Sequence, residues 1–249
     1  MDRIKISAIS YFNSLPFLFG LKHYNFSVNI ELVLDNPAVC ADRLIQNDAD
    51  IGLIPVVELN KLSYSEIISD YCIGTINNVN TVAIFSNCRI SDIKKIYLDK
   101  QSRTSNILCK VLAENFWKMD IVFEKSTTDM PCRLNENEAC LLIGDRVFEA
   151  GNLYGYKYDL SKEWDKHTGL PFVFAVWAAN KPVNSLLKSE FNNALKSGID
   201  NIDMAIEELA PPAKIDLLKG YCTKNISYIF DKEKKAGLNL FLKLADKYL

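Results

Sequence analysis

His167-Thr168-Gly169-Leu170-Pro171-Phe172-Val173-Phe174-Ala175-Val176-Trp177 decides the fold. A Thr-Gly turn meets a proline, and six apolar residues follow without a break. Neither side of such a strand can face water, so both of its faces must be covered by other elements. The turn at its mouth sets a hydroxyl and bare backbone beside the start of the strand. By itself the run reads equally well as an ordinary core strand after an ordinary turn.

The pattern around it supplies the cover. Ile4–Ile9 reads as a strand and Pro16–Leu21 as the start of a helix. Asn36-Pro37 is a helix opening, with Asn36 as N-cap and Pro37 in the first turn of a helix to about Asn47. Short strands are predicted at Asp50–Ile54, Tyr71–Ile76, Val79–Phe85, Ile96–Leu98, Ile121–Phe123 and Cys140–Ile143. Ser102 caps a helix to about Trp117 whose apolar face is Ile107, Leu108, Val111, Leu112 and Phe116. Leu160–Lys166 is a short helix leading into the Thr168-Gly169 turn. Beyond Trp177 the pattern predicts helices only, near Val183–Ser197, Asn201–Leu209, Ala213–Lys219 and Lys232–Tyr248, with Pro211-Pro212 breaking the set. Alternating strands and helices predict an α/β protein with mainly parallel sheets.

Composition narrows the function classes. The 249 residues are 49% apolar and 24% charged with a net charge of −2, and the basic residues are scattered. That argues against a nucleic-acid groove and against a polybasic membrane patch. The N-terminal residues alternate polar and apolar, as a first strand does and a signal peptide does not. No window holds the roughly 18 apolar residues of a membrane span, so a cytoplasmic location is expected. Seven cysteines with no Cys-x-x-Cys spacing argue against a disulfide framework and a zinc site, and are expected to be small core residues. Two histidines leave no His-rich metal site. Nucleotide-loop and nucleophile-elbow motifs are missing, which argues against a redox enzyme or a kinase.

Several polar positions sit where ligands bind in α/β folds. Ser102-Arg103-Thr104-Ser105 opens a helix, bringing backbone N–H groups, hydroxyls and a guanidinium to one point suited to a carboxylate. The same residues also serve as a plain helix cap. Ser10–Ser14 links the first strand to a helix, and its Asn13 both donates and accepts without changing charge. Ser86 ends an apolar strand, and its hydroxyl is expected to face a cleft. Thr168 and Gly169 offer a hydroxyl and an open N–H on the returning strand. Asp145 either caps the helix at Arg146–Ala150 or reaches the cleft. His167 is left out of the site, and His23 reads as a surface residue.

Five stretches taken in order resemble a known family. They are Ser10-Tyr11-Phe12-Asn13-Ser14-Leu15-Pro16-Phe17, Thr81-Val82-Ala83-Ile84-Phe85-Ser86, Ser102-Arg103-Thr104-Ser105, Leu141-Leu142-Ile143-Gly144-Asp145 and the opening run. Together, from Ile4 to about Phe241, they are similar to the MqnA family, the chorismate dehydratases of the futalosine route to menaquinone. Phe12 stands where that family more often has Leu. The resemblance implies a two-lobed fold of the type II periplasmic-binding-protein kind, with the ligand cleft between lobes. The lobes are expected at 1–85 plus 176–249 and at 86–175, with crossings in the strands Val79–Ser86 and Phe172–Trp177.

The resemblance further implies a small dicarboxylate substrate, no metal and no cofactor. Asn13 and Ser86 would be catalytic. Ser10, Ser102, Arg103, Thr104, Ser105, Asp145, Thr168 and Gly169 would bind substrate. None of the neutral motif residues is a base at neutral pH, so a carboxylate of the substrate itself is expected to take the proton. Two other readings stay open: a small-carboxylate-binding module of the same fold, and the sister 1,4-dihydroxy-6-naphthoate synthase.

Overall fold

The computed structural model describes residues 3–126, 133–151 and 153–249. The chain begins β1 (Arg3–Ile9), α1 (Leu15–His23), β2 (Asn29–Asp35), α2 (Pro37–Ile45), β3 (Ile51–Pro55) and β4 (Glu66–Thr75). It continues β5 (Val82–Ser86), β6 (Lys95–Leu98), α3 (Arg103–Val111), β7 (Val122–Lys125), β8 (Glu138–Ile143), α4 (Arg146–Ala150), β9 (Tyr156–Asp159) and α5 (Leu160–Thr168). It ends β10 (Phe172–Ala179), α6 (Ser185–Asp200), α7 (Ile202–Leu209), α8 (Ile215–Lys224), β11 (Ser227–Ile229) and α9 (Lys232–Ala245).

Two sheets result. The first has the order β11-β4-β10-β3-β1-β2, the second β7-β6-β8-β5-β9. The opening run becomes β10, buried along its whole length. It is inserted between β3 and β4 and runs antiparallel to both. Phe17, Trp177 and Phe191 pack edge to face beside it, which fills the interior between the sheet and its helices.

The expectation of mainly parallel sheets is corrected. Parallel pairing holds for β1 with β2 and β3, and for β6 with β7 and β8. The strands next to each crossing pair antiparallel. The cause is the route of the chain. It leaves the first sheet by β4 and re-enters by β10, so the returning strand must oppose the departing one. The expected crossing points are corrected as well. β5 pairs only within the second sheet and β10 only within the first. Boundaries at 85/86 and 175/176 would cut strands that pair along their length. The sheets are joined instead through 76–81 and through α5 with residues 169–171.

Three strands were not foreseen. β2 and β9 are partly exposed edge strands with no fully buried residue, and β11 breaks the predicted all-helical tail by pairing with β4. α3 stops at Val111 and continues as a wider π-type turn through Trp117, closed by Lys118 in the left-handed region. Asn36 caps α2 as expected, its Oδ1 accepting from the Val39 N–H at 3.1 Å. Cys40, Cys72, Cys109, Cys140 and Cys222 are buried and Cys88 is half-buried, all as free thiols; Cys132 lies outside the described residues. No helix among the described residues is long and apolar enough to cross a membrane.

Topology fixes where a ligand can sit. The carboxyl ends of β1, β3 and β4 meet the amino end of β10. The carboxyl end of β8 and the amino end of β5 face them from the second sheet. Crevices outside strand ends at such switch points are where open α/β sheets bind ligands.

Candidate active site

A small cavity of about 60 Å³, open to solvent on one side, occupies that crevice. Ile9, Tyr11 and Asn13 reach it from β1 and the turn after it, Pro37 from the start of α2, and Pro55 from the end of β3. Ile73, Phe174 and Ala175 form its floor. Val79, Thr81 and Val82 come from the crossing. Ser102, Thr104, Ser105, Ile143 and Gly144 close it from the second lobe. Every one of these side chains is uncharged at neutral pH.

The opening of α3 forms the polar wall. Ser102 Oγ accepts from the Ser105 N–H at 3.1 Å, so Ser102 is a true N-cap. Its neighbours Arg103 and Thr104 hold first-turn N–H groups that no earlier helical turn can accept. Thr104 Oγ1 donates across the cleft to the Phe174 carbonyl at 3.1 Å. Ser105, buried and facing the cavity, brings a further hydroxyl. A carboxylate here meets N–H and O–H donors and the positive end of a helix dipole, together worth a few kcal/mol.

Tyr11 roofs the cavity. Its hydroxyl donates to Gln101 Oε1 of the opposite lobe at 2.7 Å. Arg146 backs that contact, bonding Asp99 at 2.6 Å and approaching Gln101 Oε1 at 3.4 Å. Burial pushes the Tyr11 phenol well above its usual pKa, so it stays protonated. The ring lies so close to Gly144 that a Cβ there would stand 3.0 Å from it, and Gly144 has a φ of +63°. Only glycine meets both demands at low cost.

On the inner side, the Asn13 carbonyl accepts from the Tyr228 hydroxyl at 3.0 Å, and its Oδ1 accepts from Ser14 Oγ at 3.3 Å. Thr81 Oγ1 shares a 2.7 Å hydrogen bond with the buried Tyr221 hydroxyl.

The predicted site residues divide accordingly. Asn13, Ser102, Thr104 and Ser105 come together around the cavity. Ser10 is exposed and not part of the lining; its N–H donates to the Asp35 carbonyl at 2.9 Å. Ser86 is fully buried at the far end of β5, donating to the Cys88 carbonyl at 2.6 Å, so the expectation of a cleft-facing hydroxyl fails. Thr168 is the last residue of α5. Its Oγ1 donates to the Trp164 carbonyl at 2.8 Å and accepts from the Leu170 N–H at 3.2 Å. Gly169 is a left-handed C-cap with φ +66° whose N–H is taken by the Asp165 carbonyl at 2.7 Å. Neither lines the cavity.

Arg103 also turns away from the cavity. Its guanidinium bonds Asp42 at 2.8 and 2.9 Å and Glu58 at 2.9 Å. Asp145 takes neither of its two expected roles. Its carboxylate makes no side-chain cap to α4 and does not line the cavity. It accepts from the Phe12 N–H, while burial raises its pKa to about 6. His23 is exposed and bonded to Glu208 at 2.8 Å, and His167 stacks on Phe116.

Tyr11, Thr81 and Gly144 are among the lining residues that sequence reasoning passed over, although all three stood inside quoted motifs. A directional signal was available for Thr81. A strand entered from the other lobe meets the cleft at its amino end, so the hydroxyl at position 81 faces the cleft and the one at 86 does not.

The comparisons agree with this architecture. A family of proteins described as menaquinone biosynthesis matches residues 4–247. The chorismate dehydratase of Campylobacter jejuni is 24% identical over 242 residues, covering 94% of each chain. Among solved structures, protein AF1704 from Archaeoglobus fulgidus superposes with a TM-score of 0.77 at 17% identity, over 99% of this chain and 97% of that one. The CA3427 gene product of Candida albicans, described as having the generic periplasmic binding protein fold, gives 0.64 at 14% identity, over 99% and 91%. With its two-sheet fold of the periplasmic-binding-protein kind and a family match over nearly its whole length, the chain belongs to the menaquinone-biosynthesis family.

Proposed function

We propose that the protein is a chorismate dehydratase of menaquinone biosynthesis, a hydro-lyase that converts chorismate to 3-[(1-carboxyvinyl)oxy]benzoate. The family match and the Campylobacter relative of that name support the reading. The observation that carries it is the lining itself. One wall is a helix opening with N–H and O–H donors, and no charged side chain among the described residues lines the cavity. Such a site suits an anionic substrate that brings its own base.

In this mechanism the ring carboxylate rests on the start of α3, held by the Arg103 and Thr104 N–H groups and the Ser102 and Ser105 hydroxyls. Each charge-assisted bond contributes about 1.5–3 kcal/mol. Asn13, Thr81 and Tyr11 orient the enolpyruvyl group and the C4 hydroxyl. The enolpyruvyl carboxylate takes the proton from C3, the C3–H electron pair moves into the ring, and the C4–O bond breaks. Hydroxide leaves C4 and combines with the abstracted proton as water. The ring becomes aromatic, which drives the elimination. Protein catalysis is then mainly positioning and exclusion of water.

Purified protein incubated with chorismate alone tests the reading. Loss of one water by mass, with a rise in aromatic absorbance, is expected. Chorismate bound tightly but recovered unchanged would make the protein a carboxylate-binding module instead.

A further inference from the structure

Arg103 lies in the motif that was expected to hold substrate, yet both terminal nitrogens of its guanidinium are bonded elsewhere. It stands on the second lobe, and both of its partners stand on the first. Nη2 grips both oxygens of Asp42 on α2, at 2.8 and 2.9 Å, and Nη1 grips Glu58 just after β3, at 2.9 Å. Glu58 is almost wholly buried and also meets Lys61 at 3.1 Å, whereas Asp42 is half-exposed. Each of the three tied segments carries a cavity-lining residue at its opening: Ser102 before Arg103, Pro37 before Asp42, and Pro55 before Glu58.

We propose that Arg103 is a positioning residue that clamps the lobes together, so that the α3 donors face the substrate only while the Asp42–Arg103–Glu58 bridge is made. The inference rests on reading this cavity as the substrate site. The guanidinium does not touch substrate. It spans the cleft and fixes the opening of α3 against the segments that carry Pro37 and Pro55. Two uncharged bonds, Tyr11 to Gln101 and Thr104 to the Phe174 carbonyl, join the same faces. They align the closed state, while the ion pairs hold it. A partly buried pair broken on one side leaves the other charge uncompensated, so loss of either partner opens the clamp.

The consequence is a population effect. If the closed form falls to a tenth of the molecules, apparent affinity falls about tenfold, while turnover of the closed complex is unchanged. The test compares Arg103→Met, Arg103→Lys, Asp42→Asn, Glu58→Gln and the double variant Arg103→Met/Asp42→Asn. Steady-state kinetics with chorismate are combined with small-angle scattering of the free proteins. Arg103→Met and Asp42→Asn should each raise KM about tenfold with kcat within about twofold. The double variant should be no worse than Arg103→Met, and Arg103→Lys should recover most of the loss. Scattering should show a more open particle for Arg103→Met and Asp42→Asn, restored by saturating chorismate.

Loss of affinity in Arg103→Met with wild-type behaviour in both Asp42→Asn and Glu58→Gln would mean that Arg103 contacts substrate directly, and would overturn the proposal. Unchanged scattering in Arg103→Met and Asp42→Asn would overturn it as well. If the wild-type protein leaves chorismate untouched while both variants open, the clamp stands and the dehydratase reading falls.

Discussion

Ser102–Ser105 and Thr168–Gly169 are two short stretches in which hydroxyls adjoin backbone amides, and along the sequence they look alike. The first opens α3, the second closes α5. At a helix opening the first amides point outward with no partner in the helix, and hydroxyls there face whatever lies beyond. At a helix end the amides are already bonded backward, and the residue that leaves the helix donates its own N–H to the last turn. So the Gly169 N–H goes to Asp165 and the Thr168 hydroxyl to Trp164. The comparison teaches that the same residue types leave backbone N–H donors open where they begin a helix and spend them within the helix where they end one.

Substitutions at the two ends can break or sharpen that contrast. Ser105→Ala removes a hydroxyl from the α3 wall, and kcat/KM for chorismate should fall about 10- to 100-fold with little change in melting temperature. Gly169→Ala should leave kcat/KM unchanged but cost about 1–2 kcal/mol of stability, because φ is +66° there. Thermal unfolding should show a drop of several degrees. Thr168→Ala should also leave kinetics alone and cost about 1 kcal/mol, or about 2–4 °C. An activity loss at Thr168 as large as at Ser105 would erase the distinction.

Asp145 gives a smaller, pH-dependent effect. Burial raises its pKa from the ordinary 3.8 to about 6 in the folded protein, so ionisation opposes folding. The stability tied to its protonated form is complete below about pH 4 and is lost as the pH rises through 6. Asp145→Asn keeps an acceptor for the Phe12 N–H. Its melting temperature should therefore gain on the wild type between pH 4 and 7, and an offset constant with pH would contradict the buried-carboxyl account.

Much of the fold was legible because it rests on strong local signals. The apolar run gave β10, Asn36-Pro37 gave α2, and Ser102 gave the start of α3. Strand direction was harder to read, since parallel and antiparallel pairing place the same residues on the same faces. Polar edge strands such as β9 carry no apolar run, so hydrophobic patterning passes over them. In the site, residue types were read well and orientation poorly. Asn13, Ser102, Thr104 and Ser105 meet at the cavity, while Ser86 lies at the wrong end of a strand whose other end supplies Thr81. Arg103 looked like a ligand for an anion because its two carboxylate partners lie 45 and 61 residues away in sequence.

The central claim is that the cavity positions a substrate that supplies its own base. Asp145 is the carboxyl group adjoining the lining residue Gly144, which makes it the protein group best placed to replace that base. The deciding measurement is kcat at saturating chorismate for Asp145→Asn beside the wild type, with binding checked by calorimetry. The account predicts that the variant binds normally and keeps kcat within a few-fold of the wild type. A variant that binds chorismate normally but does not turn it over would contradict the account.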